Sequence, residues 1–209
     1  RRRHTRFKCD WSSDVCSSDL LEFCMNATVT NIFTNNITSY SVWLKTGSWT
    51  GAALANASSN AGEISHVRVF DSLSQTAGIA VKGADTCFIR NSIIEGTGSP
   101  VYGILYDSLN GTVQPNVRIQ DHHIETACSK GAVYLRPKSG GRHIVENIYA
   151  QYAQNLVACE YYSGYPDLYV ANIPVHISGL TFLNVGTGTW DFYNVRFGGG
   201  VSKIGRAHV

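Results

Sequence analysis

The chain contains short runs in which apolar and polar residues alternate, and these runs come in pairs. Residues 117–120 (VRIQ) alternate and end at Asp121, and residues 131–136 (GAVYLR) alternate again before Pro137, which cannot donate to a strand ladder. Two such short strands cannot bury their apolar faces alone. The pair therefore predicts one unit of a repeated β structure.

A recurring pattern marks the repeats: Val or Ile, any residue, then Asn, Asp or Gly, then another aliphatic within one to three positions. It begins at Val29, Val69, Ile89, Ile119, Val145 and Ile177. The last five starts are separated by 20, 30, 26 and 32 residues, as expected when each repeat is one coil of a solenoid. Asn, Asp and Gly tolerate left-handed backbone, so the pattern predicts equivalent corners at its polar positions. These are Asn31, Asp71, Asn91, Asp121, Asn147 and Gly179.

The repeat pattern resembles the right-handed parallel β-helix of the pectate-lyase-like superfamily, which includes polysaccharide lyases, polygalacturonase-type hydrolases and phage tailspike or tail-fibre depolymerases. The resemblance covers about residues 24–195. It implies an all-β fold, a right-handed parallel β-helix (solenoid) fragment of about six coils, with an all-β sandwich as the alternative. The catalytic signatures of pectate lyases and polygalacturonases are not recognisable in the sequence, so the resemblance implies an architecture and not one activity.

The two ends of the sequence lack the repeat pattern. Residues 1–20 and 203–209 can be back-translated into the two strands of a common short-read sequencing adapter. We therefore expect both segments to be adapter-derived rather than domains, and residues 21–202 to be the parallel β-helix fragment.

The charge balance changes when these ends are set aside. The whole chain has 17 Lys and Arg against 15 Asp and Glu, whereas residues 21–202 have 10 against 12, a net charge of −2. The apparent basicity thus lies at the ends, and we expect no nucleic-acid partner. No apolar run is long enough to span a bilayer, so no membrane insertion is expected.

Cysteine and histidine patterns argue against a metal site. Cys24, Cys87, Cys128 and Cys159 show no CxxC or Cys/His metal spacing, and small buried hydrophobes are the preferred interpretation over a disulfide pair. We expect no metal and no cofactor, apart from calcium if the protein is lyase-like. Asp121 and His122 are adjacent in a strand and face opposite sides, so a corner role for Asp121 is preferred over a catalytic pair.

The second run of each repeat predicts a surface for a sugar chain. If Ile104, Val133, Cys159 and Phe192 point inward, a row of carboxylates, an arginine and tyrosines points outward. The row contains Asp107, Tyr134, Arg136, Glu160, Asp191 and Tyr193, with Tyr162 beside it. Flat rings for sugar faces and charged groups for hydroxyls or uronates are what a polysaccharide site requires, although tyrosines are common on exposed β faces.

Asp107 and Glu160 are the predicted catalytic carboxylates, with Arg136 on the strand between them. Two strand spacings give about 9.6 Å, near the roughly 6.5 to 9.5 Å that separates the carboxyls of inverting glycosidases. Tyr134, Tyr193, Tyr162 and Asp191 are the predicted substrate-binding residues. The alternative is a surface salt-bridge ladder worth about 1 kcal/mol or less per pair.

The sequence thus predicts an extracellular or virion-borne protein that binds or degrades polysaccharide, such as a tailspike-like depolymerase or a secreted pectate-lyase-like enzyme. The competing hypothesis is a non-catalytic structural or adhesive β-helix, such as a tail-fibre shaft or a surface adhesin. A homotrimer is expected if the protein is tailspike-like. Enzyme activity, as a glycoside hydrolase or a polysaccharide lyase, is left open at this point.

Overall fold

A computed structural model describes ten segments of the chain: residues 19–22, 28–35, 40–45, 62–71, 77–82, 86–107, 116–136, 142–159, 175–183 and 195–197. Within these segments the chain forms β-strands and no helix. Consequently, no helix of the described segments has the length and apolarity needed to cross a membrane.

The described strands fall into two sets, which alternate along the chain. One set is β1 (Asp19–Glu22), β3 (Tyr40–Lys45), β5 (Ala77–Lys82), β8 (Tyr102–Asp107), β10 (Gly131–Arg136), β12 (Val157–Cys159) and β14 (Val195–Phe197). The other is β2 (Thr28–Asn35), β4 (Gly62–Phe70), β6 (Thr86–Arg90), β7 (Ile93–Glu95), β9 (Asn116–Glu125), β11 (Arg142–Gln151) and β13 (Val175–Leu183).

Each set forms one parallel sheet. The first sheet has the order β1-β3-β5-β8-β10-β12-β14, and the second has the order β13-β11-β9-β6-β4-β2, with β7 continuing β6 between β4 and β9. The chain therefore places a strand in one sheet, then one in the other, and each return adds a strand beside the previous one. The all-β class with parallel sheets is confirmed, and this connectivity is compatible with a β-solenoid.

The two sheets enclose the main apolar core. Ile104, Val133 and Cys159 lie in this core, whereas Leu105, Tyr134 and Ala158 belong to a second cluster on the outer side of the first sheet. The inward and outward assignment predicted from alternation is therefore correct at these positions. Cys87, Cys128 and Cys159 are free and buried, as expected for small hydrophobes; Cys24 and Phe192 lie outside the described residues.

A row of left-handed residues bends the second sheet. The strand registers align six positions on successive strands, and each has φ between 51° and 63°. They are Asn31, His66, Asn91, Asp121, Asn147 and Gly179. Five of them are the predicted corners, at which a short polar side chain or none accepts a conformation unfavourable to other residues. The Asn147 side-chain amide donates to Asp121 Oδ1 at 3.0 Å, which links neighbouring corners.

The prediction that Asp71 occupies a corner of the row is wrong. His66, not Asp71, aligns with Asn31 and Asn91, since Ser65 pairs with Thr30 and Arg90. Asp71 is also left-handed, with φ 50°, but it follows the end of β4, next to Gly96. Its backbone N–H donates to the Glu95 carbonyl and its carboxylate accepts from the Thr97 N–H at 2.9 Å. Asp71 therefore forms a second turn, five residues beyond the row of corners.

The expected boundary after residue 20 lies inside β1, in which Asp19 pairs with Val42 and Leu20 with Trp43 of β3. The preceding 18 residues and residues 203–209 lie outside the described segments.

Candidate functional site

Asp107 and Arg136 meet at the ends of two neighbouring strands of the first sheet. They are the last residues of β8 and β10 and are paired in register. Arg136 Nη1 donates to Asp107 Oδ2 at 3.2 Å. Asp107 is only 3% exposed, whereas 34% of the Arg136 side chain is accessible. The predicted neighbours are therefore in contact, and the carboxylate lies beneath the guanidinium.

Lys82 extends this charged row on the other side of Asp107. It ends β5 and is the register partner of Asp107. Its ammonium group donates to the Tyr40 hydroxyl at 3.0 Å and lies 5.1 Å and 5.3 Å from the ring centroids of Tyr40 and Trp43. A carboxylate thus stands between two cations along the row, and aromatic rings hold one of the cations. The sequence prediction had left Lys82 out, although its position at the end of a second run is the same as that of Asp107.

Tyr134 is on the outer side of the first sheet, as predicted, but its ring is 2% exposed. It packs against Tyr102 with ring centroids 4.4 Å apart, and Leu105 and Ala158 belong to the same cluster. The ring is therefore covered and does not present an open face. The other predicted site residues, Glu160, Tyr162, Asp191 and Tyr193, lie outside the described residues.

His122 is excluded from acid–base chemistry on the surface by its position in the core. Its Nε2 donates to the Ile89 carbonyl at 2.9 Å, and its Nδ1 accepts from the Ser92 backbone N–H at 3.2 Å. Burial lowers the pKa of His122 to about 4, although the two backbone contacts and the charge of Asp121 oppose the shift. The imidazole is therefore neutral at pH 7. Its two ring nitrogens form hydrogen bonds with backbone groups of Ile89 and Ser92, on either side of the end of β6.

The outer side of the second sheet carries charges that the sequence prediction had not grouped. The pairs are Arg68 with Glu95 at 2.6 Å, Arg90 with Glu63 at 2.7 Å and Arg118 with Glu146 at 3.0 Å. The partners are 27 or 28 residues apart in sequence, so only the strand register could have revealed them. Among the described residues, no group of three or more His, Cys, Asp or Glu could hold a metal ion.

Comparisons with known proteins add no constraint on this site. A scan against protein-family models gave no match, and searches of curated proteins and of solved structures gave no significant match.

Proposed function

We propose that this chain is a segment of a right-handed parallel β-helix that binds or degrades polysaccharide outside the cell or on a virion. Support for the architecture comes from two parallel sheets that the chain visits in turn, and from a corner row with five predicted members. Support for the activity comes from the charged row at the end of the first sheet. Parallel strands fix such a row rigidly along a surface, which suits an extended polymer.

The contact between Asp107 and Arg136 is the observation that carries the proposal. Asp107 is the proposed general acid or base, and Glu160, the next carboxylate of the row by sequence, is its proposed partner. Arg136 binds an acidic sugar or holds the carboxylate in its charged form. Tyr193, Tyr162 and Asp191 are the proposed substrate contacts, and Tyr134, two residues before Arg136 in β10, packs on Tyr102.

A non-catalytic structural or adhesive β-helix is the second candidate, and two observations favour it. Asp107 is 3% exposed and already paired with Arg136, so it has little surface to offer a substrate. The three ion pairs on the second sheet also suit a shaft whose surface remains soluble along its length.

Cleavage assays separate the two candidates. The full chain is incubated with polygalacturonate and with bacterial capsular polysaccharides, and new reducing ends and unsaturated uronates are measured. Asp107→Asn and Glu160→Gln should each abolish cleavage, while Glu125→Gln, an accessible carboxylate on the other sheet, should leave it unchanged. Cleavage that survives both substitutions eliminates this site. Binding without any cleavage by the wild-type chain establishes the adhesive alternative.

Two further measurements refine the class. A tailspike-like protein should sediment as a homotrimer, and a lyase-like protein should lose activity with a calcium chelator and regain it with added calcium. Activity without calcium, in a monomer, would favour a hydrolase.

A further inference from the structure

A depression on the outer side of the second sheet lies away from the charged row of the first sheet. It is lined by Glu63, Phe88, Arg90, Arg118 and Gln120, and its volume is about 300 Å³. That volume is at the lower end for small-molecule sites, so one ring-sized group fits it. We refer to it as the Phe88 depression.

Strand register brings the five residues together. Phe88 of β6 lies between Glu63 of β4 and Arg118 of β9, which are its two register partners. Arg90 and Gln120 are also register partners and stand two residues farther along the same strands. All five therefore project from one face, because residues two apart in a strand point the same way. The depression is built on strands and not on loops, which fixes its shape.

The apolar wall of the depression is the ring of Phe88. Phe88 is 45% exposed, while its neighbours in the strand, Cys87 and Ile89, are fully buried in the core. A single exposed apolar residue is ordinary on a protein surface. Phe88 differs because donors and acceptors from both neighbouring strands surround its ring. A flat ring framed by hydrogen-bonding groups is complementary to a sugar, whose C–H face packs on the ring while its hydroxyls reach the frame.

The polar frame carries balanced charge. Arg90 donates from Nε and Nη2 to Glu63 Oε1 at 3.1 Å and 2.7 Å, and Arg118 donates from Nη2 to Glu146 Oε2 at 3.0 Å. A guanidinium has five N–H donors, so each arginine retains donors for a ligand. Each positive charge faces one carboxylate, and the depression therefore offers hydrogen bonds without a net field. Hydroxyl groups satisfy such a frame better than a carboxylate or phosphate, which would have to compete with Glu63 and Glu146.

We propose that the Phe88 depression binds one ring of a neutral polysaccharide, with the sugar face on Phe88 and its hydroxyls on Arg90, Arg118 and Gln120. This inference rests on the proposed polysaccharide function, and it adds a binding site on the sheet opposite the Asp107 row. A second site of this kind would hold the polymer against the solenoid while the Asp107 row acts on or binds another part of it.

Affinity electrophoresis of the full chain tests the proposal, using native gels that contain hydroxyethyl cellulose, galactomannan or polygalacturonate. At least one neutral polymer should retard the wild-type chain. Phe88→Ala should weaken that retardation about fivefold or more, because the ring contact is lost. Phe88→Trp should retain it. Phe33→Ala is the matched control, since Phe33 is also exposed on the outer side of the second sheet but lies beyond the corner row.

The outcomes separate this site from the proposed function. Neutral-polymer binding that Phe88→Ala leaves intact, or that Phe33→Ala weakens equally, overturns the Phe88 site. Retardation by polygalacturonate alone also overturns it, while the polysaccharide function still stands. If none of the three polymers retards the chain and no polysaccharide is cleaved, both proposals fail. The melting temperature of Phe88→Ala, measured by circular dichroism, should match that of the wild type because Phe88 lies outside the core.

Discussion

The outer sides of the two sheets differ in burial and in charge. On the first sheet the outer residues are apolar and buried up to the charged residues that end β5, β8 and β10, and these strands are buried at nearly every position. On the second sheet β9 and β11 alternate between buried and accessible residues, and their outer side carries ion pairs. The described strands therefore form a covered sheet on one side and a solvated sheet on the other.

The difference is already present in the strand sequences. AGIAVK, YGILYD and GAVYLR are almost continuously apolar, which is typical of parallel strands buried on both faces. NVRIQDHHIE and RHIVENIYAQ alternate, which is typical of one wet face. The left-handed corners show the same asymmetry, since among the described residues they all lie on strands of the second sheet or in the turns directly after them. Bends and accessible ion pairs thus belong to the solvated sheet, whereas the covered sheet has apolar strands and carries Lys82, Asp107 and Arg136 at the strand ends.

The largest effect on stability is expected from a matched pair of tyrosine-to-alanine substitutions, one on each sheet. Tyr134→Ala should lower the free energy of unfolding by about 3–5 kcal/mol, because a fully buried ring leaves a cavity. Tyr149→Ala, on the second sheet, should cost about 1 kcal/mol, since it loses mainly its stacking on His123. Urea denaturation of both variants measures the difference. Equal costs would show that the outer side of the first sheet is not a core.

The sequence predicted the parts of the fold that depend on local pattern. Alternation correctly separated Ile104 and Val133 from Leu105 and Tyr134, and the corner pattern found five of the six positions in the corner row. Both results depend only on neighbours in the chain. His66 was missed because the pattern admitted only Asn, Asp and Gly, although histidine is also enriched in left-handed backbone. The segment Ile64-Ser65-His66-Val67 otherwise has the required form.

The candidate sites were less predictable because they depend on residues far apart in sequence. The Asp107–Arg136 contact followed from a correct guess of register across 29 positions. The burial of Tyr134 could have been inferred from its continuously apolar strand, but alternation alone suggested an open face. The Phe88 depression was missed because the corner pattern aligned β6 with β9, at Asn91 and Asp121, but misplaced β4, whose corner is His66.

The second test compares the cost in stability of removing one ion pair from each sheet. Arg136→Met should destabilise the chain by about 2 kcal/mol, because it removes the partner of a carboxylate that is almost completely buried. Arg118→Met, whose partner Glu146 is accessible, should cost less than about 1 kcal/mol. Raising the salt concentration should reduce the second cost and leave the first nearly unchanged. Similar costs for both variants would contradict the assignment of Asp107 to the covered side.

The pH dependence of stability can distinguish the inner and outer sides of the second sheet, because the adjacent histidines of β9 lie on opposite sides: His122 is buried and His123 is accessible. The pKa of His122 is lowered in the folded state, so the unfolded chain binds the extra proton and stability falls as pH drops below about 6.5. Between pH 7 and pH 5 the loss from His122 should be about 2 kcal/mol. His122→Asn should flatten this slope, whereas His123→Asn, the matched substitution at the accessible neighbouring position, leaves His122 in place and should keep it. The measurement is urea denaturation at a series of pH values; an unchanged slope in His122→Asn would refute the buried neutral imidazole.

The smallest expected effect comes from the corner row itself, at His66. Its φ of 54° costs an ordinary L-residue roughly 1–2 kcal/mol, and asparagine accepts this conformation most readily apart from glycine. His66→Asn should therefore stabilise the chain by about 0.5 kcal/mol, placing an amide between Asn31 and Asn91 in register. His66→Val should destabilise it by about 1–2 kcal/mol, because a branched side chain is strained at positive φ.

His176→Asn is the control for the corner test, since His176 is exposed on β13 of the same sheet without a left-handed backbone. It should change stability by less than the His66 variants. A gain in His66→Asn that is matched by His176→Asn would mean that surface composition, not backbone conformation, is responsible. A loss in His66→Asn would mean that the histidine makes a contact worth more than the strain it carries, and that the corner row tolerates His66 for a reason other than its backbone.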